Sequence, residues 1–535
     1  MALPAQEWLF HEGDAGDSVF FVVSGWLRVV VGRGGEQKIA RVLGPGAAIG
    51  ELAVLTGARR SGSVQAIRDS ELLEIDSQRF LELLASDADM SIGLTRSLAR
   101  QLQLSGGLSI PDAPATVFAI SPAPGVDVGP FWAELQTAFA TLGPTAAMEH
   151  FDSPDAWGSE LADLEARHAY VLLLAPPDAG DWEDFCLRQA DRILRVAPAT
   201  PSKQPPGIAG CDVAFLGVPD APTIAAWREA VHPRAHHVLP PGDELAVGRL
   251  ARRLTGRSLG LVLSGGGARA FAHLGVLEVL QEAGLVVDRV GGTSMGAFVS
   301  AMVASGWSTE TMLEACRSEL MRRAPFSDYT VPRHSLIRAR RAEAMLRRLF
   351  GDACVEELAR PMFTVSADLL SGRQVVHRDG PLVEAVGSSM AIPGLAPPVT
   401  HGAQLLIDGG VLNNLPIDVM AGEEPGPILA VDVMRRIDLD EMTRGQRQTV
   451  PTILEILARA TVLGSVERAE ASRALAQIVI APDVQDISLR DFRQLDRAVE
   501  AGRTAAEEAL EAGADELFAA LTLATPQRAA VSTLV

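Results

Sequence analysis

The chain has 535 residues, 47% of them hydrophobic and 21% charged, with 49 glycines spread throughout; at roughly 100–200 residues per domain it exceeds one core and predicts about three domains. A formal net charge of -20 excludes a nucleic-acid partner, whose phosphates need a basic surface, and argues against simple electrostatic attachment to anionic lipid unless a local basic patch does that job. No run of about 18 apolar residues is free of charge or turn formers, the start MALPAQEWLFHEGD lacks the basic-then-apolar layout of a signal peptide, and Cys186, Cys211, Cys316 and Cys354 have no metal-type spacing. These readings predict a cytoplasmic protein with buried free thiols and no metal, whose membrane contact is peripheral.

Residues 9–75 alternate β-rich runs with glycine turns (VFFVVSG, WLRVVVGRGGEQ, KIARVLGPG, GSVQAIRDSELLEI), which predicts a small antiparallel barrel or roll. Helical apolar spacing follows over 77–105, and SGGLSIPDAPA at 105–115 reads as a linker. From 116 to 250 the apolar runs TVFAIS, YVLLLAP, RILRVAPA and DVAFLGVP are separated by helical segments, the pattern of a parallel α/β layer. No phosphate-gripping glycine loop follows any of these strands, so the layer is Rossmann-like without a nucleotide fingerprint. The βαβ pattern resumes over 258–440, and 441–535 is mostly helical before a polar tail. The expectation is a multidomain α/β protein: an N-terminal β-roll (1–105), a Rossmann-like α/β middle domain (116–250), an α/β hydrolase core (258–440) and C-terminal helices (441–535).

Three elements of the core carry chemistry. LVVDRVGGTSMGAFVSAMVAS places G-x-S-x-G, with Gly292, Ser294 and Gly296, between an apolar strand and an alanine-rich helix. That is the context of a nucleophile elbow, where small flanking residues avoid clashes in a sharp turn and the helix N-terminus favours negative charge. Upstream, SLGLVLSGGGARAFAHLGVLEVL runs a strand into Gly265, Gly266 and Gly267, then Arg269. Consecutive glycines there leave backbone N–H groups open to an anion, as an oxyanion hole requires. A dinucleotide loop is disfavoured because position 270 is alanine and no acidic residue closes a ribose contact. Downstream, LLIDGGVLNNLPIDV ends a strand at Asp408. No histidine follows Asp408 in the chain, so the order Ser…Asp…His cannot use it. A triad of Ser294 with His401 and Asp379 is the alternative, and His273 reads as packed or capping. A Ser294–Asp408 dyad is the economical reading.

Taken in order, GGGxR, GxSxG and DGG resemble the patatin-like phospholipase family over about 258–440. The resemblance implies that Ser294 attacks an ester carbonyl while Asp408 takes its proton, and that Gly265, Gly266 and Gly267, with Arg269 nearby, frame the oxyanion hole. Ala270 departs from the family pattern, which usually has glycine there.

LFHEGDAGDSVFFVVSGWLRV and IGELAVLTGARRSGSVQA resemble the cyclic-nucleotide-binding domain over about 1–105. The second stretch looks like its phosphate-binding cassette, which would place Gly50, Glu51, Leu52, Arg60 and Ser61 around cyclic AMP or cyclic GMP as an effector. In that match Glu51 takes the ribose hydroxyl and Arg60 pairs with the cyclic phosphate, while Arg59 leaves the register ambiguous. The helix that normally precedes the first strand is missing from the match. This domain order, with SRALAQIVIAPDV, YTVPRHSLI and ARRLTGRSLGLVLSGGGARA, resembles the neuropathy target esterase group of lysophospholipases. The likeness implies hydrolysis of acyl esters of (lyso)phospholipids at a membrane surface, with one-chain lipids preferred. Two rivals are a transcription regulator, which lacks a DNA-reading helix-turn-helix after the sensor, and a catalytically inactive cyclic-nucleotide-sensing scaffold, which intact Ser294 and Asp408 weigh against.

Overall fold

Alternation of buried and exposed residues along Ser70–Asp76 is what a strand with one wet face requires, and Ser70 and Leu72 point inward there while Glu71 and Leu73 point out. The computed structural model describes all residues except 6, 34–35, 44–46, 87–115, 150–155, 178, 201–209, 435–455, 457–459, 461–462 and 523–535. The chain divides into two units, Met1–Val196 and Ala197–Ala524, and this division falls inside the stretch 116–250.

In the first unit, two four-stranded antiparallel sheets form the β-roll. Leu3, Phe20, Val22, Leu27, Ile49, Val64 and Leu72 fill it. Helix Ser77–Ser86 closes the roll by burying Phe80 against Val19 and Val54. The rest of the predicted helix 77–105 and the linker 105–115 lie outside the described residues. The parallel α/β layer begins with Val117–Pro122, Tyr170–Leu174 and Arg192–Pro198, as their unbroken apolar runs require. An edge strand, Thr145–Met148, joins them; its small, half-exposed residues give no strand pattern. Arg68 ties roll to layer. Its guanidinium is buried against Glu165 at 2.9 Å, Asp191 at 3.5 Å and the Gln189 carbonyl at 3.1 Å.

The second unit opens with the parallel pair Asp212–Leu216 and Ala235–Leu239. Polar AHHVL reads poorly as a strand, yet His237 is buried between Asp212, at 3.3 Å, and Arg253, at 2.6 Å. Arg253 is in turn held by Glu424.

The hydrolase sheet has the order Val399–His401, Gln404–Asp408, Met362–Asp368, Arg289–Thr293, Gly260–Leu263, Ile428–Val431, Ile478–Ile480, with Gln374–His377 on Met362–Asp368. The last five strands of that order run parallel, and Gln404–Asp408 is antiparallel to Met362–Asp368. Helix Ala272–Glu282 packs against the long helix Leu495–Thr522 at unusually close range. A Cβ on Gly275 would lie 1.9 Å from the Val499 carbonyl oxygen, and one on Gly502 would lie 2.0 Å from that of Ala272. Two glycines thus key the helices together, and Arg503 bridges to Glu278 and Glu282 alongside. The C-terminal helix is part of the hydrolase core rather than an appendage to it.

Candidate active site

Strand register brings the three motifs to one place. Gly260–Leu263 and Arg289–Thr293 are parallel neighbours, Leu263 opposite Gly292, so the loops leaving their carboxyl ends lie side by side. Across Met362–Asp368, Thr293 is level with Val365 and Asp408 is level with Ser366. Ser294 and Asp408 therefore converge over one intervening strand.

Ser294 turns sharply from its strand into helix Met295–Ala304, with φ 56° and ψ -125°. A non-glycine residue there costs about 1–3 kcal/mol and persists only where its surroundings enforce it. Its N–H donates to the Ser389 hydroxyl at 2.9 Å, which donates to the Val365 carbonyl at 2.6 Å, and Thr293 donates to the Asn413 carbonyl at 2.9 Å. The flanking glycines are steric necessities. A Cβ at Gly296 would lie 2.2 Å from the Leu263 oxygen, and one at Gly292 would lie 2.7 Å from the backbone of residue 296.

Asp408 is buried beside Ser294, and its Oδ1 accepts the Gly410 N–H at 2.7 Å. Burial pushes its carboxyl up to about 6, against the opposing pull of the Ser294 side chain and the Gly410 N–H. The approach of Gly409 to the Val365 carbonyl, 2.2 Å from an added Cβ, explains the glycine after the aspartate.

The three glycines divide into separate roles. The Gly265 N–H is already donated to the Asn414 carbonyl at 3.2 Å, and the Asn414 amide returns a bond to the Gly265 carbonyl at 3.2 Å. Only the Gly266 and Gly267 N–H groups make no hydrogen bond among the described residues, and both residues line the cavity beside Ser294. Arg269 does not line that cavity. Its guanidinium is buried behind the loop on the Ile487 carbonyl, at 2.8 Å, and on Gln485, at 2.7 and 2.8 Å. There it braces the loop instead of facing a substrate. Ala270 is fully buried in the core without left-handed backbone, so its methyl fits.

The histidine alternative does not assemble. His401 is half-exposed and paired with Glu384 at 2.5 Å, while Asp379 faces Arg228 at 3.4 Å. His273 is buried on the Ser264 carbonyl at 2.9 Å, where burial lowers it to about 4. Sequence reasoning missed Asn414 and Ser389. Asn414 was visible as LNNLP after the aspartate, whereas a serine in a helix turn carries no signal.

Above Ser294 and Asp408 opens a cavity of about 670 Å³, within the range of small-molecule sites. Its lining is mostly apolar, with Ile337, Leu346, Val383, Ile392, Leu395 and Phe492 among it, and charged residues such as Arg338, Arg347 and Arg490 also reach it. An apolar wall of this kind suits a hydrocarbon chain.

In the β-roll the cassette closes on itself. Gly50 adopts φ 83° before helix Glu51–Thr56. Arg60 is buried, donating to the Gly50 carbonyl at 3.1 Å and the Ser18 carbonyl at 2.9 Å, and stacked on Phe10 at 4.3 Å. Its Nε is buried without a partner. Glu51 is buried beside it, whereas Leu52 and Ser61 are exposed. Arg59 points outward to the Gly13 carbonyl at 2.7 Å, so the register places Arg60, not Arg59, in the cassette.

Comparison with known proteins agrees with both regions. Residues 261–421 match the family model of patatin-like phospholipases, and residues 1–87 match that of the cyclic nucleotide-binding domain. An uncharacterised NTE family protein of Mycobacterium tuberculosis is 34% identical over 550 residues, covering 96% of this chain and 92% of its own. Patatin-like phospholipase domain-containing protein 6 of Mus musculus is 28% identical, covering 94% of this chain and 44% of its own. Lysophospholipase NTE1 of Mycosarcoma maydis is 27% identical, covering 95% of this chain and 33% of its own.

Proposed function

This chain belongs to the NTE family, and on that premise we propose that it is a serine esterase hydrolysing acyl esters of lysophospholipids through Ser294 and Asp408. The observation that carries the reading is Ser294 and the buried Asp408 carboxyl lining one largely apolar cavity side by side, next to two open N–H groups.

In this reading the acyl chain lies along the apolar wall and sets the ester carbonyl over Ser294. The Ser294 oxygen attacks the carbonyl carbon as its proton passes to Asp408. Negative charge develops on the carbonyl oxygen and is received by the Gly266 and Gly267 N–H groups. Collapse breaks the bond to the glycerol oxygen, which leaves with the proton from Asp408. Water then attacks the acyl-serine as its proton passes to Asp408, and the bond to the Ser294 oxygen breaks as Asp408 returns that proton to it, releasing the fatty acid. A base near pH 6 suits this work, because it is ionised at neutral pH yet basic enough to accept a proton.

The lysolipid preference is supported by the name of the Mycosarcoma relative, a lysophospholipase. Among the described residues no helix is long and apolar enough to cross a membrane. For the cassette, cyclic AMP or cyclic GMP is the proposed effector, held by Arg60 and Glu51 with Gly50, Leu52 and Ser61 around it. Calorimetry with each nucleotide, paired with lipid hydrolysis with and without it, tests effector and coupling together; no heat at high concentration would end this part of the reading.

For the esterase, the test is labelling with a fluorophosphonate, which phosphonylates an activated serine with loss of fluoride. Wild type should label and Ser294→Ala should not. An unlabelled wild type would leave an inactive sensing scaffold, and a labelled Ser294→Ala protein would remove Ser294 as the nucleophile. Release of fatty acid from mixed micelles of one- and two-chain lipid then tests the preference, and faster release from the two-chain lipid would overturn it.

A further inference from the structure

The chain is acidic overall, but one segment beside the cavity mouth is not. Residues 322–348 carry eight arginines against two carboxylates, Asp328 and Glu343, a local net charge of +6 in a chain of net -20. Glu319 engages Arg323 and Arg348, and Glu343 engages Arg347. Arg333, Arg338 and Arg340 have no carboxylate within ion-pair reach among the described residues, and all three are exposed.

The same segment is shaped as a projecting tip. Tyr329 and Ile337 bridge antiparallel, Thr330 donates to the Leu336 carbonyl at 3.0 Å, and Arg338 donates to that of Asp328 at 3.0 Å. The base of this small hairpin is anchored where Leu336 and Ile337 donate to the carbonyls of Gly394 and Leu395, both at 3.0 Å. At the tip stand Val331, Pro332, Arg333 and His334, all exposed, with Val331 at 85% the most exposed large apolar residue described and Tyr329 at 59% beside it. Left-handed alanines flank the segment, Ala324 at φ 45° and Ala339 at φ 58°. Phe326, Ile337 and Arg338 of this segment, with Arg347 and Arg490, also line the cavity.

Isolated exposed valines are common and mean nothing alone. Here an apolar tip, a tyrosine and unpaired arginines share one projection at the entrance to an apolar cavity, the composition of an interfacial anchor. Charge complementarity selects the partner. We propose that the hairpin Tyr329–Ile337 is the membrane-docking element, inserting Val331 and Tyr329 among acyl chains while Arg333, Arg338 and Arg340 meet anionic headgroups. The inference rests on the lipid-esterase reading and adds to it the surface from which substrate enters.

Docking is measured apart from chemistry by using the full chain carrying Ser294→Ala, which cannot consume the membrane. It should co-sediment with phosphatidylcholine vesicles containing phosphatidylglycerol, should do so far less with phosphatidylcholine alone, and should be released by salt. Val331→Asp and Arg333→Glu, neither of which lines the cavity, should each weaken partition about fivefold or more. In the Ser294 background both variants should hydrolyse a dispersed short-chain ester at the parental rate, which also shows that they fold, and should lose hydrolysis of vesicle-borne substrate. Absence of binding to anionic vesicles, or unchanged partition in both variants, would overturn the proposal. So would a tip that joins two copies, seen as a dimer lost in Val331→Asp with vesicle binding intact. Failure of the esterase reading shows separately, as absent fluorophosphonate labelling, and leaves the partition measurement valid.

Discussion

The hydrolase site and the nucleotide cassette are both built from a glycine-opened turn, a short stretch of helix and a charged side chain, but they stand in opposite states. Around Ser294 the groups that would meet a substrate are unengaged: two N–H groups are open and a buried base is held near pH 6. Around Arg60 the corresponding donors are already engaged with the Gly50 and Ser18 carbonyls. The first site is arranged ahead of its ligand, and strain at Ser294 and burial of Asp408 are what that arrangement costs. On the proposed reading, the second would exchange those hydrogen bonds for a phosphate, so its ligand would meet an internal competitor that the first site does not have.

The largest effect expected is on the catalytic pair. Ser294→Ala and Asp408→Asn should each lower kcat for a chromogenic ester by at least about 10³-fold, and the double variant should be scarcely worse than either, because the two act as one unit. Near-wild-type turnover in Asp408→Asn would remove the dyad and with it one side of the comparison. Next comes Gly267→Ala. Its backbone is at φ 54° and an added Cβ would lie 2.1 Å from the Leu489 carbonyl oxygen, so the open N–H must move; about 10²–10³ in kcat should be lost. Retained turnover would show that the N–H groups are not the ones that matter.

The pH profile is the gentler test of the same side. As the proposed base, Asp408 must be ionised to act, so kcat/KM should be level above pH about 6 and fall toward tenfold per unit below it. A profile flat down to pH 4 would contradict a base raised by burial. The same shift predicts its stability effect: a carboxyl raised above its unfolded value favours the folded state only while protonated, so this residue's contribution is present at low pH and lost as pH rises through the unfolded value and then about 6.

The smallest effect belongs to the cassette. Arg60→Ala, measured without any nucleotide, should lower stability of the amino-terminal unit by about 1–3 kcal/mol, since two buried carbonyls lose their donor. Thermal melting that does not change would mean the internal bonds contribute little and the contrast drawn above fails.

Much of this was legible from sequence because the chemistry demands small residues at fixed places. Gly265–Gly267, Gly292, Gly296 and Gly409 each sit where a side chain would strike backbone or a close neighbour, so the motif glycines report geometry directly. Ser294 and Asp408 follow from them. What was not legible depends on distant partners. Arg269 stands next to the glycine loop in sequence, yet its donors turn to Gln485 and Ile487, more than two hundred residues on. The N–H of Gly265 is taken by Asn414. The strand Ala235–Leu239 hides behind two histidines because His237 is neutralised by burial between Asp212 and Arg253. Local pattern reports backbone need; side-chain destination is settled by the fold.

The keyed glycines of Gly275 and Gly502 set an order in time. The ribosome makes the glycine loop, then the Ser294 turn, then Asp408, and only afterwards the segment 485–489 and the helix Leu495–Thr522 that hold the loop and the helix after it from behind. Ala268 waits for the Leu489 carbonyl at 2.9 Å, and helix Ala272–Glu282 waits for its partner. A chain that stops before them thus carries Ser294 and Asp408 without the contacts that hold the glycine loop in place.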